Sequence, residues 1–561
     1  MVSRQTVLSA LASGRRTLAG FAPSSSIGLA DRLGARYLAT GNIERDAGKL
    51  RVNCDLIDVR SGKLLHNWSS DLQDSQSQFY PMVDGFASAI AGAVGRRTPS
   101  KPGRPASVAA ELTQSLDALK LYDEAVERKE LDDEATALIK LRQAVGLDST
   151  FVEAHLLLAE LSGEPAERRA HLAAAMKFRP KASELTRRLV EAEQLVEGGR
   201  RDSAITLYRA ILVDHPNDVV ARYSLGELYD RRRRFSDAAA EFAVLHQLNP
   251  FDYSFYPIWS GEYLELGRKD RAVGILEDWH GSFPDEPGPL LALSNCHFVL
   301  GNYQLGLALC DTLAGVQPGS DRRPRFFHLV YLGRLHAADS VVRDLEQHRD
   351  PTLAPSRPRS YRAFLEYRRR RFADGLRLMA EPLGEQPDTY NEWLAGILAA
   401  GAGDTLAAEE RMDSIRRHAS EGGADTTEAE ARGDRRFLYH LRGEIALAEG
   451  RPAQAVDWYR TALRFSSRRD DAYFRTDLGH ALLKAGRPRE AVPELQRVLE
   501  FNPNCPQALL DLGGAYLSTG DKAEARRALE RLRTLWGRGD PDDPLNIQLA
   551  AQLQNASSTG H

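Results

Sequence analysis

The sequence predicts a mainly α-helical protein: a solenoid of about twelve helix-turn-helix repeats, preceded by a small α/β domain. Three observations support this fold class. A proline recurs every 34 residues, a small residue stands twelve positions before each of these prolines, and residues 37–44 instead alternate apolar and polar side chains. With 42% hydrophobic and 27% charged residues, the 561-residue chain has the composition of a folded protein.

The repeat is clearest in the middle of the chain. Its prolines are Pro216, Pro250, Pro284 and Pro318, and its small residues are Ala204, Ala238, Ala272 and Gly306. A small side chain lets two antiparallel helices approach closely, and proline marks a helix boundary because it cannot donate a hydrogen bond within a helix. One helix pair cannot bury both of its faces, so the pairs must stack into a solenoid.

The spacing resembles the tetratricopeptide repeat, whose 34-residue pattern runs Leu-Gly, Tyr, Ala, Phe, Ala, Pro. Segments such as YSLGELY (223–229) and LDLGGAYL (510–517) carry the first part of that pattern. Positions equivalent to the small residue of the second helix fall at 137, 168, 204, 238, 272, 306, 338, 375, 408, 455, 491 and 525. The repeats at 168, 338 and 408 rest mainly on spacing. The resemblance predicts a solenoid over residues 107–540.

This resemblance also implies a binding surface. In tetratricopeptide proteins, the inward residues of the first helices line a concave groove that binds peptides. Counting back along the register, the expected groove residues here are Tyr223, Glu227, Asn295, Phe298, His440, Glu444 and His480.

The amino-terminal 94 residues predict a small α/β domain. Strands are expected at 37–44, 50–58 and 64–70, joined by short turns into a three-stranded antiparallel meander, with helices at 26–33 and 79–94. Residues 29–72 resemble the TolB-like amino-terminal domain, which precedes tetratricopeptide repeats in bacterial kinases, cyclases and transcriptional regulators. The family domain begins with a further strand and helix, so the resemblance implies either a reduced domain or a truncated start.

The remaining segments are expected to be connections. Residues 95–106 contain three prolines and predict a linker, and residues 541–561 predict a frayed tail. No run of 18 apolar residues predicts a transmembrane helix, and Arg15 and Arg16 interrupt any signal-peptide core. A cytoplasmic location is expected, or a periplasmic or membrane-tethered one if the start is truncated.

Neither composition nor motifs indicate catalysis. The net charge of −4 argues against a nucleic-acid partner, and the chain lacks the common hydrolase, kinase and phosphate-binding motifs. Two arginine tracts, 231–234 and 368–371, are interpreted as solvated turns, with an anion or nucleic-acid contact as the weaker alternative. No cofactor is expected. His440 and His480 could share a surface, but a metal site needs at least three converging ligands, so none is expected.

These observations predict a non-catalytic scaffold that binds a protein or peptide ligand in bacterial signalling or assembly. The alternative is the regulatory or sensor half of a signalling enzyme or transcriptional regulator, whose kinase, cyclase or winged-helix head is missing or encoded separately. Partner identity and oligomeric state stay open.

Overall fold

The structure is a computed structural model. It describes residue 30, residues 35–46 and 49–73, part of 82–94, and residues 112, 113, 115–130, 133–249, 252–348, 353–385, 388–421, 428–537 and 539–557. The predicted linker at 95–106 and, apart from Ala30, the predicted helix at 26–33 lie outside the described residues. Part of the predicted helix at 79–94 is described, and the described residues between 82 and 93 are helical.

Two compact units divide the chain. The first comprises residues 1–228 and 240–253, and the second comprises residues 229–239 and 254–561.

The first unit contains the predicted meander. Its strands are β1 (Tyr37–Asp46), β2 (Lys49–Asp58) and β3 (Lys63–Gln73), which pair antiparallel in the order β1-β2-β3. Gly41 pairs with Cys54, which in turn pairs with Trp68. The strands are longer than predicted because pairing continues to the turns. The three-stranded antiparallel sheet confirms the prediction.

The described part of the chain also contains 26 α-helices. The first fourteen are α1 (Leu116–Glu130), α2 (Glu134–Leu147), α3 (Val152–Leu161), α4 (Pro165–Phe178), α5 (Glu184–Glu197), α6 (Arg201–Asp214), α7 (Val219–Arg231), α8 (Phe235–Leu248), α9 (Tyr256–Glu265), α10 (Lys269–Ser282), α11 (Pro287–Val299), α12 (Tyr303–Val316), α13 (Arg322–Tyr331) and α14 (Leu335–Gln347). The remaining twelve are α15 (Arg357–Arg368), α16 (Phe372–Leu378), α17 (Ala380–Glu385), α18 (Thr389–Gly401), α19 (Thr405–Glu421), α20 (Glu428–Ala448), α21 (Pro452–Leu463), α22 (Arg468–Lys484), α23 (Pro488–Phe501), α24 (Pro506–Thr519), α25 (Lys522–Leu535) and α26 (Pro544–Ser557).

These helices form the predicted solenoid. Up to α25 they make twelve consecutive pairs, with the second helix of the eighth pair divided into α16 and α17. The small residue of the second helix is fully buried in nine repeats, as at Ala204 and Ala491. Position 168 departs from the pattern: Arg168 is half-buried and lies 3.2 Å from Glu197 in an ion pair. The helix pairs and their spacing confirm the predicted fold class.

The expected frayed tail is wrong for most of residues 541–561. Helix α26 follows Asp543, whose carboxylate accepts a hydrogen bond from the Leu545 backbone N–H. Leu545 and Leu549 are buried against apolar side chains of α24 and α25. Leucines four residues apart lie on one helical face. With this apolar face, α26 covers the helix pair formed by α24 and α25.

The second unit coils until later repeats contact earlier ones. Three first-to-second-helix turns, at Gly267, Gly301 and Gly333, lie against the later segments around residues 468, 502 and 536. Hydrogen bonds join residues 199 to 206 positions apart, including Asn504 Nδ2 to the Gly301 carbonyl at 3.0 Å and Trp536 Nε1 to the Tyr331 carbonyl at 2.9 Å. Within this unit, the coil therefore closes on itself.

Among the described helices, none combines the length and apolar character that a membrane-crossing segment requires.

Candidate binding cavity

A cavity of about 500 Å³ lies inside the closed coil of the second unit. Its wall is formed mainly by first helices of consecutive repeats: α11, α13, α15, α18, α20, α22 and α24, with Leu545 of α26. The volume falls within the range of pockets that enclose drug-sized ligands, roughly 300–1,000 Å³.

Three of the seven expected groove residues, Phe298, Glu444 and His480, line this cavity. His440 is fully buried and lies behind the wall, where its imidazole contacts Asp477 and Trp393. The structure therefore gives His440 a supporting position rather than an exposed one.

The other three expected groove residues do not line the cavity. Asn295 is exposed on α11 outside the cavity wall. Tyr223 and Glu227 belong to the first unit, where both are half-buried, and Tyr223 packs edge-on against Phe242 with ring centroids 6.3 Å apart. The predicted groove residues therefore do not form one continuous site in the second unit.

Aromatic side chains absent from the sequence-based set form much of the cavity wall. Tyr331, Tyr367 and Tyr473 line it, and Phe298 meets Tyr331 edge-on with centroids 4.9 Å apart. Burial raises the pKa of all three tyrosines, so they remain neutral phenols. A sequence signal for two of them exists: like Phe298, Tyr331 and Tyr367 stand seven or eight residues before the small residue of the following helix.

Two carboxyl groups face the cavity from adjacent repeats. Glu444 of α20 accepts a hydrogen bond from the Tyr459 hydroxyl at 2.6 Å, and Asp477 of α22 accepts one from His440 Nε2 at 2.9 Å. Burial raises the pKa of Glu444, and the nearby Asp477 raises it further. Among the described residues, neither carboxyl has a lysine or arginine within ion-pairing distance.

His440, Glu444 and Asp477 offer ligand atoms within 4.8 Å of one another, an arrangement that invites comparison with a metal site. The hydrogen bonds favour another reading. Trp393 Nε1 can only donate, and it donates to His440 Nδ1 at 3.1 Å. The neutral imidazole therefore carries its hydrogen on Nε2, where it donates to Asp477. That hydrogen occupies the position a metal would need, so the geometry is that of a hydrogen-bond chain.

Most other charged groups at the cavity wall have an opposite charge nearby. Arg469 pairs with Glu265 at 2.9 Å, and Arg436 pairs with Asp470. Asp511 lies 3.3 Å from His480 Nδ1 and holds the pKa of His480 above its ordinary value. Arg368 lowers the pKa of the buried Asp543 carboxyl against the larger effect of burial, so these two groups attract each other.

A second cavity, of about 610 Å³, lies between α12 and the end of α25. Its wall includes Gln304, Asp311 and Arg334. Asp311 already pairs with Arg325 at 2.7 Å, and the wall lacks the aromatic rings of the first cavity. The first cavity is therefore the better candidate for recognition.

Comparisons with known proteins agree with this architecture. Residues 189–253 and 476–544 match the tetratricopeptide repeat family model. These two segments of the chain are similar to tetratricopeptide repeats. Such repeats serve generally as non-catalytic protein-interaction scaffolds. The two matched segments lie on either side of the middle of the solenoid.

Comparisons with individual proteins give less information than the family model. No curated protein matches the chain. Among solved structures, the chain is similar to one in the crystal structure of the APC/C hetero-tetramer Cut9-Hcn1, with 13% identity over 79% of this chain and 97% of that one. The TM-score of 0.29 is too low for that likeness to carry an argument.

Proposed function

We propose that the protein is a scaffold that binds a peptide or helical segment of a protein partner, with part of that segment inserted in the cavity of the second unit. The observation that carries this proposal is the cavity itself, walled by first helices of consecutive repeats and lined by Phe298, Glu444 and His480. A few buried anchor side chains supply most of the free energy in such interfaces. A cavity of about 500 Å³ fits such anchors better than a long extended peptide.

The proposed setting, bacterial signalling or assembly, rests on the resemblance of residues 29–72 to the TolB-like domain. The three-stranded meander of β1, β2 and β3 is compatible with that resemblance.

Site-specific photo-crosslinking tests this function. p-Benzoylphenylalanine replaces Phe298 in the cavity wall, or, as a matched control, Leu406, which is 69% exposed on α19. The full-length protein is then irradiated in lysate of the source organism. We expect a discrete protein adduct from position 298 that is absent from position 406. Equal adducts from both positions, or adducts only from position 406, would contradict the proposed site.

A further inference from the structure

We propose that the cavity receives a basic side chain, a lysine ammonium or arginine guanidinium, of the partner protein. This inference rests on the proposed function and specifies the chemistry of the segment that binds.

The charged groups of the cavity wall differ in whether they are paired. Arg469 and Asp470 are each in an ion pair, His480 lies beside Asp511, and Arg370 is exposed to water. Arg368 lies near the Asp543 carboxyl, but its Nη2 is buried without a hydrogen-bond partner among the described residues. Glu444 and Asp477 instead receive hydrogen bonds only from neutral donors, the Tyr459 hydroxyl and the His440 imidazole. Among the described residues, neither carboxyl group pairs with a lysine or an arginine. His480 lowers the pKa of Glu444 and Asp477 raises the pKa of His480, so a histidine balances part of this negative charge. A buried charge is stable only when it is paired, so a cationic ligand complements this arrangement.

Aromatic side chains surround these carboxyl groups. Tyr367, Tyr459 and Tyr473 line the same cavity. The faces of aromatic rings attract cations within about 6 Å. The cavity already contains one such contact, because the Arg368 guanidinium lies 5.8 Å from the centre of the Tyr331 ring. Carboxyl groups combined with tyrosine rings suit an organic cation.

The size and chemistry of the cavity favour an organic cation over a metal ion. The Nε2 hydrogen of His440 disfavours a metal ion. A metal ion is also too small for the cavity of about 500 Å³, because one water molecule, which is of comparable size, takes up only roughly 30 Å³. A basic side chain with its neighbouring residues fills far more of the space. Its alkyl stem can contact Phe298 and Tyr331, whose rings form the apolar wall.

Isosteric variants test the inference. Glu444→Gln with Asp477→Asn removes both charges while retaining oxygen acceptors for Tyr459 and His440, so the hydrogen bonds that position the wall are preserved. The matched control is Glu490→Gln with Asp413→Asn, two carboxylates outside the cavity wall that pair with surface arginines. Circular dichroism and thermal melting establish that all variants are folded.

The full-length proteins are tested against an array of short synthetic peptides of random composition, and affinities of retained peptides are measured by fluorescence anisotropy. We expect retained peptides to be enriched in lysine or arginine. Their binding should weaken about tenfold or more in the cavity variant and remain unchanged in the control. Replacing the basic residue by norleucine should cause a similar loss in the wild type.

The other outcomes separate the inference from the proposed function. Retained peptides without basic enrichment, or binding that is equal in the cavity variant, overturn the inference and leave the scaffold function standing. If the protein retains no peptide, the scaffold function fails. In that case, ligand-detected NMR with n-butylammonium shows whether Glu444 and Asp477 bind a free amine. Binding of the amine without binding of any peptide would overturn the inference that the cation belongs to a partner protein.

Discussion

Two buried carboxyl groups of α9 in the second unit, Glu262 and Glu265, have different surroundings. Glu265 is paired with Arg469 and also accepts a hydrogen bond from the Arg468 backbone N–H at 2.7 Å. Glu262, one helical turn earlier and 2% exposed, lies beside Asp230 instead. Burial and the Asp230 charge raise the pKa of Glu262 to about 9. Glu262 therefore remains protonated at neutral pH.

The raised pKa of Glu262 predicts a pH-dependent stability. The unfolded pKa is near 4.5, so the folded state binds the extra proton between about 4.5 and about 9. The stability that this proton confers is fully present below pH 4.5 and is lost as the pH rises through about 9. We expect Glu262→Gln, which keeps a donor for Asp230, to raise the Tm at pH 8 by about 1–2 °C for each kcal/mol recovered.

Thermal melts at pH 5 and pH 8 check this expectation. The Tm gain should be larger at pH 8 than at pH 5, and the exposed substitution Glu490→Gln should show no such difference. An equal effect of Glu262→Gln at both pH values would show that the Glu262 pKa is ordinary.

At the scale of secondary structure, the helices follow the sequence closely because their determinants are local. Ala204 and Ala491 bury completely where the 34-residue spacing requires close helix contact. Arg168 occupies the same register, and its repeat was recognisable only from spacing. Helix α26 was missed because its apolar residues, Leu545, Leu549 and Leu553, stand among Asn and Gln in a segment without the repeat pattern.

The terminal helix α26 gives a direct test of the corrected tail. Leu549 is 2% exposed, and Ile547 on the same helix is 59% exposed. We expect Leu549→Ala to cost about 2–5 kcal/mol in the free energy of unfolding, because it leaves a cavity among packed leucines. Ile547→Ala should change it by less than about 0.5 kcal/mol. Urea denaturation followed by circular dichroism measures both, and equal small effects would mean that the helix does not pack as described.

The candidate site was only partly predictable, because the repeat register is local whereas the closure of the coil involves many repeats. Counting along the repeat register selected Glu444 and His480, which line the cavity, because inward positions recur in each first helix. The same counting selected Asn295, which is exposed, and His440, which is fully buried. Which inward residues face a cavity depends on how tightly the coil closes, and that closure sums small rotations over many repeats.

At the scale of the second unit, contacts between distant repeats close the coil. Tyr303 is almost completely buried, and its hydroxyl accepts a hydrogen bond from Asn502 Nδ2 at 2.9 Å. Gly301 has a φ of 77°, and a Cβ there would overlap Asn502 Oδ1. The turn at Gly301 thus requires glycine both for its backbone conformation and for its close approach to a later repeat.

Gly301→Ala tests this closure. Gly486→Ala is the matched control, because Gly486 has a φ of 71° but a methyl group there would meet no neighbouring atom within 4 Å. Both substitutions incur the cost of a left-handed backbone, about 1–2 kcal/mol. We expect Gly301→Ala to cost about a further 1–3 kcal/mol from overpacking, measured by urea denaturation. Equal costs for the two variants would indicate that the distant repeats do not touch.

The central claim, that the cavity inside the second unit is the binding site, is tested most directly by hydrogen–deuterium exchange. The full-length protein is measured with and without a peptide retained on the array. The account predicts slower exchange in α13, α15, α20 and α22, the helices that carry Tyr331, Tyr367, Glu444 and Asp477. Protection confined to the first unit, or to second helices on the outer face of the repeats, would contradict it.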